Sequence, residues 1–293
     1  MFLTIFTPMY NRVYILPRLY ESLCKQTMKD FEWLVVDDGS TDDTSRFITN
    51  CIEENKIIIK YYHKKNGGKA SAYNLATKHA CGELFLCVDS DDYLVNNAVE
   101  RVEALWKTDR NKVHNEKKVI GQIYFRQHIN QTPITKCSGS VEFSTLLNFY
   151  RQHGLRGDTM LVYKTAIVSK HSFPEYEGEK FIPEAFIYDQ YDEEGVLHIY
   201  REVLYIGEYL PDGYTASIRK INHDNPKGYE AFIKQRLHND DKIQYKITDT
   251  IRYTMIKLVM KDSKLLSDSS NIILTLILLI PSWIMYKIMY SRR

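Results

Sequence analysis

The chain has 293 residues, of which 44% are hydrophobic and 13% aromatic, and this composition excludes a mainly disordered protein. Its 39 Lys and Arg nearly balance its 37 Asp and Glu, so a net charge of +2 gives no reason to expect nucleic-acid binding. Five cysteines without a CxxC pair suggest neither a disulfide framework nor a zinc site, and they favour a reducing cytosol.

Short apolar runs alternate with helical patterns in the first third of the sequence. Phe2–Phe6 is predicted to be a strand and not a signal peptide, because it has neither a basic region nor a long apolar stretch. Further strands are predicted over residues 31–36, 57–62 and 84–88, with helices between them, one ending near Glu54 and one covering Ser71–Ala80. This alternation predicts an α/β fold with a parallel sheet, whose ligands bind at the carboxyl ends of the strands.

Three carboxylates crowd the end of the fourth predicted strand, in the sequence Val88-Asp89-Ser90-Asp91-Asp92. In a partly desolvated cleft these carboxylates would repel one another strongly. A divalent cation would relieve the repulsion, and Mg²⁺ or Mn²⁺ prefers one or two carboxylates together with phosphate oxygens of a substrate. The alternative is a helix cap, since aspartate is favoured at the positive end of a helix.

Two further polar segments follow predicted strands. In Asp37–Asp42 a carboxylate can accept hydrogen bonds from a nucleobase or a ribose; alternatively the segment is a turn in which Ser40 or Asp42 caps a helix. In His63–Lys69 a glycine-rich backbone at a helix N-terminus can approach phosphates, and its lysines add positive charge. The alternative for this second segment is a solvated basic loop, and its spacing is not that of a Walker loop.

The order of these motifs resembles that of the family-2 glycosyltransferases, closely over residues 1–106 and more loosely to about residue 228. The segments that carry the resemblance are Thr7–Arg12, Val36–Asp42, Asn66–Lys69 with Asn74, and Val88–Asp92. The resemblance implies a GT-A fold, in which a mainly parallel twisted sheet flanked by helices is followed by an elaborated acceptor half and C-terminal helices. It also implies a nucleotide-sugar donor, for which we expect UDP, a Mn²⁺ or Mg²⁺ cofactor, and inversion at the anomeric carbon.

The resemblance implies roles for individual residues as well. Asp38 would read the nucleobase, Asp89 would contact the ribose or the sugar, and Asp91 would hold the metal on the diphosphate. The metal would neutralise charge on the leaving nucleoside diphosphate. The remaining residues expected in the nucleotide-sugar site are Pro8, Tyr10, Arg12, Gly68, Lys69, Asn74 and Ser90.

An inverting transfer also needs a general base that deprotonates the acceptor hydroxyl. In the family this base is a carboxylate in the second half, often the aspartate of a Glu-Asp pair before a helix. Glu184, directly before a predicted helix, is the first candidate. Because Pro183 precedes it and the usual pair is absent, Glu179 is a second candidate, and Asp189 and Asp158 follow. The alternative for this segment is a charged surface loop, since glutamates are mostly exposed.

Later segments look like the tail of bacterial polysaccharide-assembling members of the family, namely Asp212-Gly213 and Asn225–Gly228. This likeness implies a lipid-linked or polysaccharide acceptor in surface polysaccharide synthesis. Separately, we expect Gly157-Asp158 to lie near the acceptor. The expected parts of the chain are a catalytic domain over 1–228 (a nucleotide-sugar-binding half over 1–106 and an acceptor half over 107–228), a helical extension over 229–270 and an apolar membrane-associating segment over 271–293.

The apolar C-terminal segment is expected to associate with a membrane. Ile272–Tyr286 contains no charged residue, but it falls short of the roughly 20 apolar residues of a comfortable spanning helix, and Pro281 interrupts it. Residues that favour the membrane interface follow, namely Trp283, Tyr286, Lys287, Arg292 and Arg293. We therefore favour a peripheral anchor on the inner, cytoplasmic face of the cell membrane. The alternatives are a tilted spanning helix and a helix buried on the catalytic domain.

Two other functions compete with sugar transfer. One is a sugar-nucleotide-binding scaffold that has lost catalysis; Pro183-Glu184 leaves room for it, whereas Asp89-Ser90-Asp91 argues against it. The other is a nucleotidyltransferase, which would share the α/β sheet and the metal-binding carboxylates. That chemistry usually has a glycine-rich basic loop after the first strand, and Thr7–Arg12 contains no glycine.

Overall fold

The computed structural model describes residues 1–208, 214–240 and 242–290. Its strands are β1 Leu3–Met9, β2 Phe31–Asp37, β3 Ile58–His63, β4 Leu84–Cys87, β5 Tyr93–Leu94, β6 Val113–His114, β7 Lys117–Gln127, β8 Lys136–Cys137, β9 Phe143–Ser144, β10 Leu155–Arg156, β11 Thr159–Lys164 and β12 Val196–Ile206. Its helices are α1 Leu16–Cys24, α2 Thr44–Glu54, α3 Lys69–His79, α4 Ala98–Asp109, α5 Leu146–Gln152, α6 Thr165–Val168, α7 Ala185–Glu194, α8 Tyr214–Asp224, α9 Pro226–Asn239, α10 Ile243–Met260 and α11 Ile272–Tyr290.

The four predicted N-terminal strands form the parallel half of a ten-stranded sheet, in the order β3-β2-β1-β4. All seven residues of β2 are buried, which is typical of a parallel strand covered on both faces and explains its continuous apolar run. β3 forms the edge of this half and is only partly buried. The predicted α/β class is therefore confirmed.

The other half of the sheet mixes strand directions. β11 runs antiparallel to both β4 and β7, while β12 runs parallel to β7. β7 is an eleven-residue strand whose residues 119–124 are buried. The end of β12 pairs with the short β5, with Tyr205 opposite Leu94, and this pairing brings β12 beside the residues that follow β4.

The chain divides into two compact units, and the division differs from the expected boundary at residue 228. The first unit holds Met1–Ser172 and Ile187–Tyr209, and the second holds Phe173–Phe186 and Leu210–Arg293. The segment before α7 is thus grouped with the C-terminal helices, although it lies far from them in sequence.

Hydrogen bonds within the second unit explain this grouping. The two carboxylate oxygens of Glu179 accept hydrogen bonds from the N–H groups of Lys227 and Gly228, each at 2.9 Å, in the first turn of α9. The side-chain oxygen of Asn225 accepts a hydrogen bond from the N–H of Lys180 at 2.7 Å. The loop before α7 is therefore held by the junction of α8 and α9.

α11 continues through Pro281, where the sequence predicts an interruption. Proline lacks the N–H that would bond to the carbonyl four residues earlier, and the hydroxyl of the next residue, Ser282, donates to the carbonyl of Leu278 at 2.6 Å. Large apolar side chains of α11 are exposed, such as Ile273 (72%) and Ile280 (70%). α11 therefore does not have the burial of a core helix. By length and composition α11 is able to cross a membrane.

Candidate active site

Three of the sequence motifs meet at the carboxyl edge of the parallel strands. β1 lies between β2 and β4, with Met9 paired to Asp37 and Phe6 paired to Cys87. The loops that follow these three strands therefore begin side by side. Ligands of parallel α/β sheets bind at this edge.

Hydrogen bonds join the loop after β1 to the loop after β2. Asn11 has a positive φ of 52°, and its side-chain oxygen accepts a hydrogen bond from the N–H of Thr41 at 2.8 Å. The N–H of Asn11 donates to the hydroxyl oxygen of Ser40 at 2.9 Å. Asp42 accepts a hydrogen bond from the N–H of Thr44, the first residue of α2, at 3.1 Å. The N-cap residue of α2 is Asp43, and neither Asp42 nor Ser40 holds that position as the turn alternative predicts; Asp42 bonds the N–H of the first helical residue, whereas Ser40 joins the loops.

The predicted nucleotide-pocket residues at the end of β1 lie at this edge. Pro8 is within β1, and Tyr10, which is 48% exposed, follows it directly. The guanidinium of Arg12 donates to the hydroxyl of Tyr14 at 2.7 Å. An exposed ring and a cation therefore lie at the carboxyl end of β1, and their contacts with a nucleotide stay a prediction.

Asp38 is buried and binds the glycine-rich loop. Its carboxylate accepts hydrogen bonds from the Lys64 ammonium (2.7 Å), the Gly67 N–H (2.9 Å) and the Gly68 N–H (2.6 Å). Gly68 has a φ of +86°, which glycine adopts readily, and α3 begins at the next residue, Lys69, two residues earlier than predicted. Sequence reasoning missed that Asp38 organises this loop, and its role toward a nucleobase stays a prediction.

α3 supplies two further predicted residues. The ammonium of Lys69, in the first turn of α3, lies 2.6 Å from a carboxylate oxygen of Asp89. Although partial burial opposes ionisation, Lys69 holds the pKa of Asp89 below its ordinary value. Asn74 is buried on the same helix. A helix N-terminus with a lysine provides a positive potential that suits phosphate groups.

The Asp89–Asp92 turn leads into β5, and the next helix, α4, begins only at Ala98 with Asn97 as its N-cap residue. The helix-capping alternative for these aspartates is therefore wrong. Ser90, in the middle of the turn, is buried. The turn instead presents carboxylates at the end of β4, beside the loops described above.

Asp91 fits the predicted metal-binding role. Burial raises the pKa of its carboxyl, and the negative charge of Asp89 raises it further, so that a cation nearby would favour its ionised form. Within the described residues no three His, Cys, Asp or Glu side chains form a metal cage. The Asp91 carboxylate suits Mg²⁺ or Mn²⁺, because such an ion takes few protein carboxylates and completes its coordination shell with substrate phosphates and water.

Sequence reasoning missed the contacts that the buried Asp92 makes with Arg126 and with the buried Tyr205. One carboxylate oxygen of Asp92 accepts hydrogen bonds from the Arg126 guanidinium at 2.6 Å and from the Tyr205 hydroxyl at 2.8 Å. Burial raises the pKa of Asp92 to about 7, although Arg126 opposes the shift. The partners lie 34 and 113 residues away from Asp92, so no local sequence pattern connects them.

Three of the four base candidates lie within α7 or in the segment before it, and the fourth, Asp158, lies between β10 and β11. Glu184, in the second unit, stands directly before the first residue of α7 as predicted, and it is half-buried beside the buried Ile182. Glu179 has both carboxylate oxygens bound by backbone N–H groups of α9, a structural role that accounts for its position. Asp189 lies within α7 and is buried. The catalytic roles of these carboxylates stay predictions.

Other predicted acceptor residues have structural explanations or lie outside the described residues. Gly157 has a φ of +77°, and a Cβ there would lie 2.1 Å from the carbonyl oxygen of Ile134, so the backbone requires glycine. The carbonyl of Asp158 accepts a hydrogen bond from the hydroxyl of Thr135. Asp212 and Gly213 lie outside the residues that the structure describes.

Comparison with known sequences gives a family match over the strands and loops that build this site. A family model described as glycosyl transferase family 2 matches residues 4–169. A chondroitin synthase from Pasteurella multocida is 40% identical over 97 residues, which are 33% of this chain and 10% of that protein. The chain spans between 10% and 40% of the length of the first curated relatives it matches.

Solved structures give a likeness over nearly the whole chain. S. aureus TarS 1–349 in complex with UDP-GlcNAc has a TM-score of 0.63 and 20% identity, covering 98% of this chain and 79% of that one. The mannosyltransferase PcManGT from Pyrobaculum calidifontis, in complex with GDP-Man and Mn²⁺, has a TM-score of 0.56 and 14% identity, covering 99% and 82%. At these identities the likeness shows the fold.

Proposed function

The chain belongs to glycosyltransferase family 2 and has the GT-A fold, and from this premise we propose the details of its reaction. It transfers a sugar, with inversion, from a UDP-linked donor to a lipid-linked or polysaccharide acceptor in surface polysaccharide synthesis. The complex of TarS with UDP-GlcNAc supports a UDP-sugar, and the relative named as a chondroitin synthase supports a polysaccharide acceptor.

One observation carries the proposal: the carboxylate turn after β4 stands beside a lysine-bearing helix N-terminus. Lys69 contacts Asp89 at 2.6 Å, and the adjoining backbone of Gly67 and Gly68 is fixed by Asp38. A nucleoside diphosphate needs positive charge and N–H donors for its phosphates, together with hydrogen-bond acceptors for its sugars. All of these are supplied within one edge of the sheet.

We assign Mn²⁺ or Mg²⁺ to Asp91 as the cofactor. When bound, the cation supplies charge neutralisation to the departing nucleoside diphosphate. Asp89 is paired with Lys69 and accepts hydrogen bonds from the ribose or the transferred sugar. The complex of PcManGT with GDP-Man and Mn²⁺ supports a metal-dependent reaction of this kind.

The general base of the proposal is Glu184. It stands at the N-terminal end of α7 and beside the buried Ile182, in surroundings that partly exclude water. A carboxylate in such a place can take the proton of an acceptor hydroxyl while that oxygen attacks the anomeric carbon. Glu179, bound by two backbone N–H groups, has fewer lone pairs left for this role.

We propose that α11 holds the enzyme on the inner face of the cell membrane as a peripheral anchor. Its exposed apolar side chains include Ile273, Ile277 and Ile280, and Trp283 and Lys287 follow toward its end. Apolar residues followed by an aromatic and a basic side chain suit the boundary between acyl chains and headgroups. A lipid-linked acceptor would be presented at the same surface.

A thermal-shift screen with UDP, GDP and CDP, each with and without Mn²⁺, tests the donor class. We expect UDP with Mn²⁺ to raise the unfolding midpoint most, because a ligand at about 100 times its Kd adds about 2.7 kcal/mol to stability. Hydrolysis of UDP-sugars without an acceptor then tests for catalysis. Binding without any turnover would identify the scaffold protein, and release of pyrophosphate would identify a nucleotidyltransferase.

A further inference from the structure

We propose that Tyr205 is a positioning residue of the donor site, whose hydroxyl fixes the turn that carries Asp89 and Asp91. The inference rests on the proposed function only for what the turn binds. The contacts of Tyr205 themselves are features of the protein without ligand.

The Tyr205 hydroxyl joins the two ends of the turn. It accepts a hydrogen bond from the N–H of Asp89 at 3.1 Å and donates to a carboxylate oxygen of Asp92 at 2.8 Å. A hydroxyl has one hydrogen, so the direction of both bonds is settled: the proton goes to Asp92 and a lone pair receives the Asp89 N–H. The turn is also closed on itself, since the N–H of Asp92 donates to the carbonyl of Asp89 at 3.1 Å.

The ring and the backbone of Tyr205 also have close contacts, mainly with Arg126. The guanidinium of Arg126 lies over the Tyr205 ring, 4.1 Å from its centroid, and donates to Asp92 at 2.6 Å. Arg126 and Tyr205 are partners in the register of β7 and β12. A Cβ at Gly207 would lie 2.6 Å from the Arg126 guanidinium and 2.8 Å from Asp92, so the backbone of this segment closes tightly over the pair.

The contacts of Tyr205 and Arg126 oppose the electrostatic repulsion between the carboxylates of the turn. Three carboxylates within four residues repel one another, and free rotation would let them spread apart. Lys69 holds Asp89 from one side, and Arg126 with Tyr205 holds Asp92 from the other. Asp91, between them, is then presented in one orientation, which a metal ion with strict octahedral geometry requires.

Tyr205→Phe is the informative variant because it keeps the ring under Arg126 and removes only the hydroxyl. The buried Asp92 carboxylate then loses a donor and the Asp89 N–H loses its acceptor. We expect the affinity for UDP in the presence of Mn²⁺, measured by calorimetry, to fall about tenfold, as for loss of a hydrogen bond to a charged group. The affinity for UDP without metal should change much less.

Tyr200→Phe is the matched control. Tyr200 lies on the same strand, and its hydroxyl donates to another buried carboxylate, that of Asp109, at 2.8 Å. This variant should lose a similar amount of stability and keep the Mn²⁺-dependent UDP affinity. If both variants lose UDP affinity equally, Tyr205 acts only through general stability and the proposal fails. Unchanged UDP affinity in Tyr205→Phe would also overturn it.

Hydrogen exchange of the protein without ligand separates this proposal from the donor assignment. Tyr205→Phe should speed exchange in the peptide that contains the Asp89 amide, and Tyr200→Phe should not. Unchanged exchange at Asp89 would show that the hydroxyl does not hold the turn. If the wild-type protein does not bind UDP in the presence of Mn²⁺, the proposed function is wrong. The hydrogen-exchange result would still decide the role of Tyr205.

Discussion

Asp92 and Asp109 are both buried aspartates, and each accepts a hydrogen bond from a tyrosine on β12, yet their electrostatics are opposite. The donors around Asp109 include His198, Gln122 and Tyr200, each at 2.8 Å, and Lys112 at 3.1 Å. Although burial opposes ionisation, these donors hold the pKa of Asp109 well below its ordinary value. At Asp92 burial prevails, and the charges of Asp89 and Asp91 help to raise its pKa to about 7.

The difference lies in how fully each carboxylate is supplied with donors, since both aspartates are buried. A carboxylate surrounded by donors needs no further ligand and serves the fold. A carboxylate set among other carboxylates retains unfavourable energy that a cation can relieve. The comparison separates structural from functional acidic groups without reference to motifs, and five experiments test it.

The largest effect is expected from Asp91→Ala. It should abolish Mn²⁺-dependent sugar transfer without lowering the free energy of unfolding, because it removes one of three repelling charges at a strand end. Transfer is followed as UDP release, and stability by denaturant titration. Undiminished transfer would remove Asp91 from the metal site.

Glu184→Gln and Glu179→Gln extend the comparison to the second unit. Glu179 is supplied with two N–H donors, so it should be structural, while Glu184 should be the base. Glu184→Gln keeps the shape of the side chain and should lower kcat by about 10²–10⁴-fold with donor affinity near normal. If Glu179→Gln is the inactive variant, the base assignment moves to Glu179. If both stay active, Asp189 and Asp158 are tested next.

Asp38→Ala is the case most able to break the comparison, because Asp38 has three donors and yet is predicted to bind the nucleobase. We expect UDP affinity to fall by about 1.5–3 kcal/mol, the contribution of a hydrogen bond to a charged group. Calorimetry measures the affinity, and hydrogen exchange of the Gly67 and Gly68 amides reports whether the loop loosens. Unchanged affinity with a loosened loop would leave Asp38 a purely structural role.

Asp109→Asn should do the reverse of Asp91→Ala. We expect the free energy of unfolding to fall by about 1–3 kcal/mol while transfer per folded molecule is retained. Because the pKa of Asp109 is lower when folded than its unfolded value of about 3.9, ionised Asp109 stabilises the fold above that pH. This contribution is lost as the pH falls through the folded-state pKa. The gap between wild type and variant should therefore be smaller at about pH 3 than at neutral pH.

The smallest effect on catalysis is expected from truncation after Ser270, which removes α11 and no carboxylate of either kind. The truncated protein should move from the membrane fraction to the soluble fraction and keep its kcat on a soluble acceptor, since the large apolar side chains of α11 are mostly exposed. Fractionation and UDP release measure both. An insoluble, unfolded product would show that α11 supports the fold.

The first half of the site was predictable because its signals are local. Buried parallel strands give continuous apolar runs, and polar residues with glycine mark where they end, so the ends of β1, β2 and β4 fall within about three residues of prediction. Asp38, Asp89 and Asp91 follow from those ends. The hydrogen bonds from Arg126 and Tyr205 to Asp92 could not be predicted, since these two residues reach Asp92 only through strand pairings across the sheet.

One alternative reading and one prediction, both based on local residue preferences, were wrong. Aspartates after a strand often cap a helix, but here the chain turns into β5 before α4 begins. Proline usually ends a helix, but α11 continues through Pro281 with a hydroxyl of Ser282 bonded to a nearby carbonyl. In both cases the residue preference is real, but the residue alone does not decide where a helix begins or ends.

The hydrogen bonds that hold the loop before α7 to α9 determine where this enzyme can be recombined with a relative. A chimaera joined at residue 228 would cut α9 in its first turn and would part Phe186 from its own Gln235, whose side-chain amide donates to the Phe186 carbonyl at 2.8 Å. Residues 173–186 would need to be exchanged together with the C-terminal helices, because these two stretches of sequence form one compact unit. Exchange of this unit would replace Glu184 and, with it, the proposed acceptor site, and it would leave the donor-binding edge of the sheet unchanged.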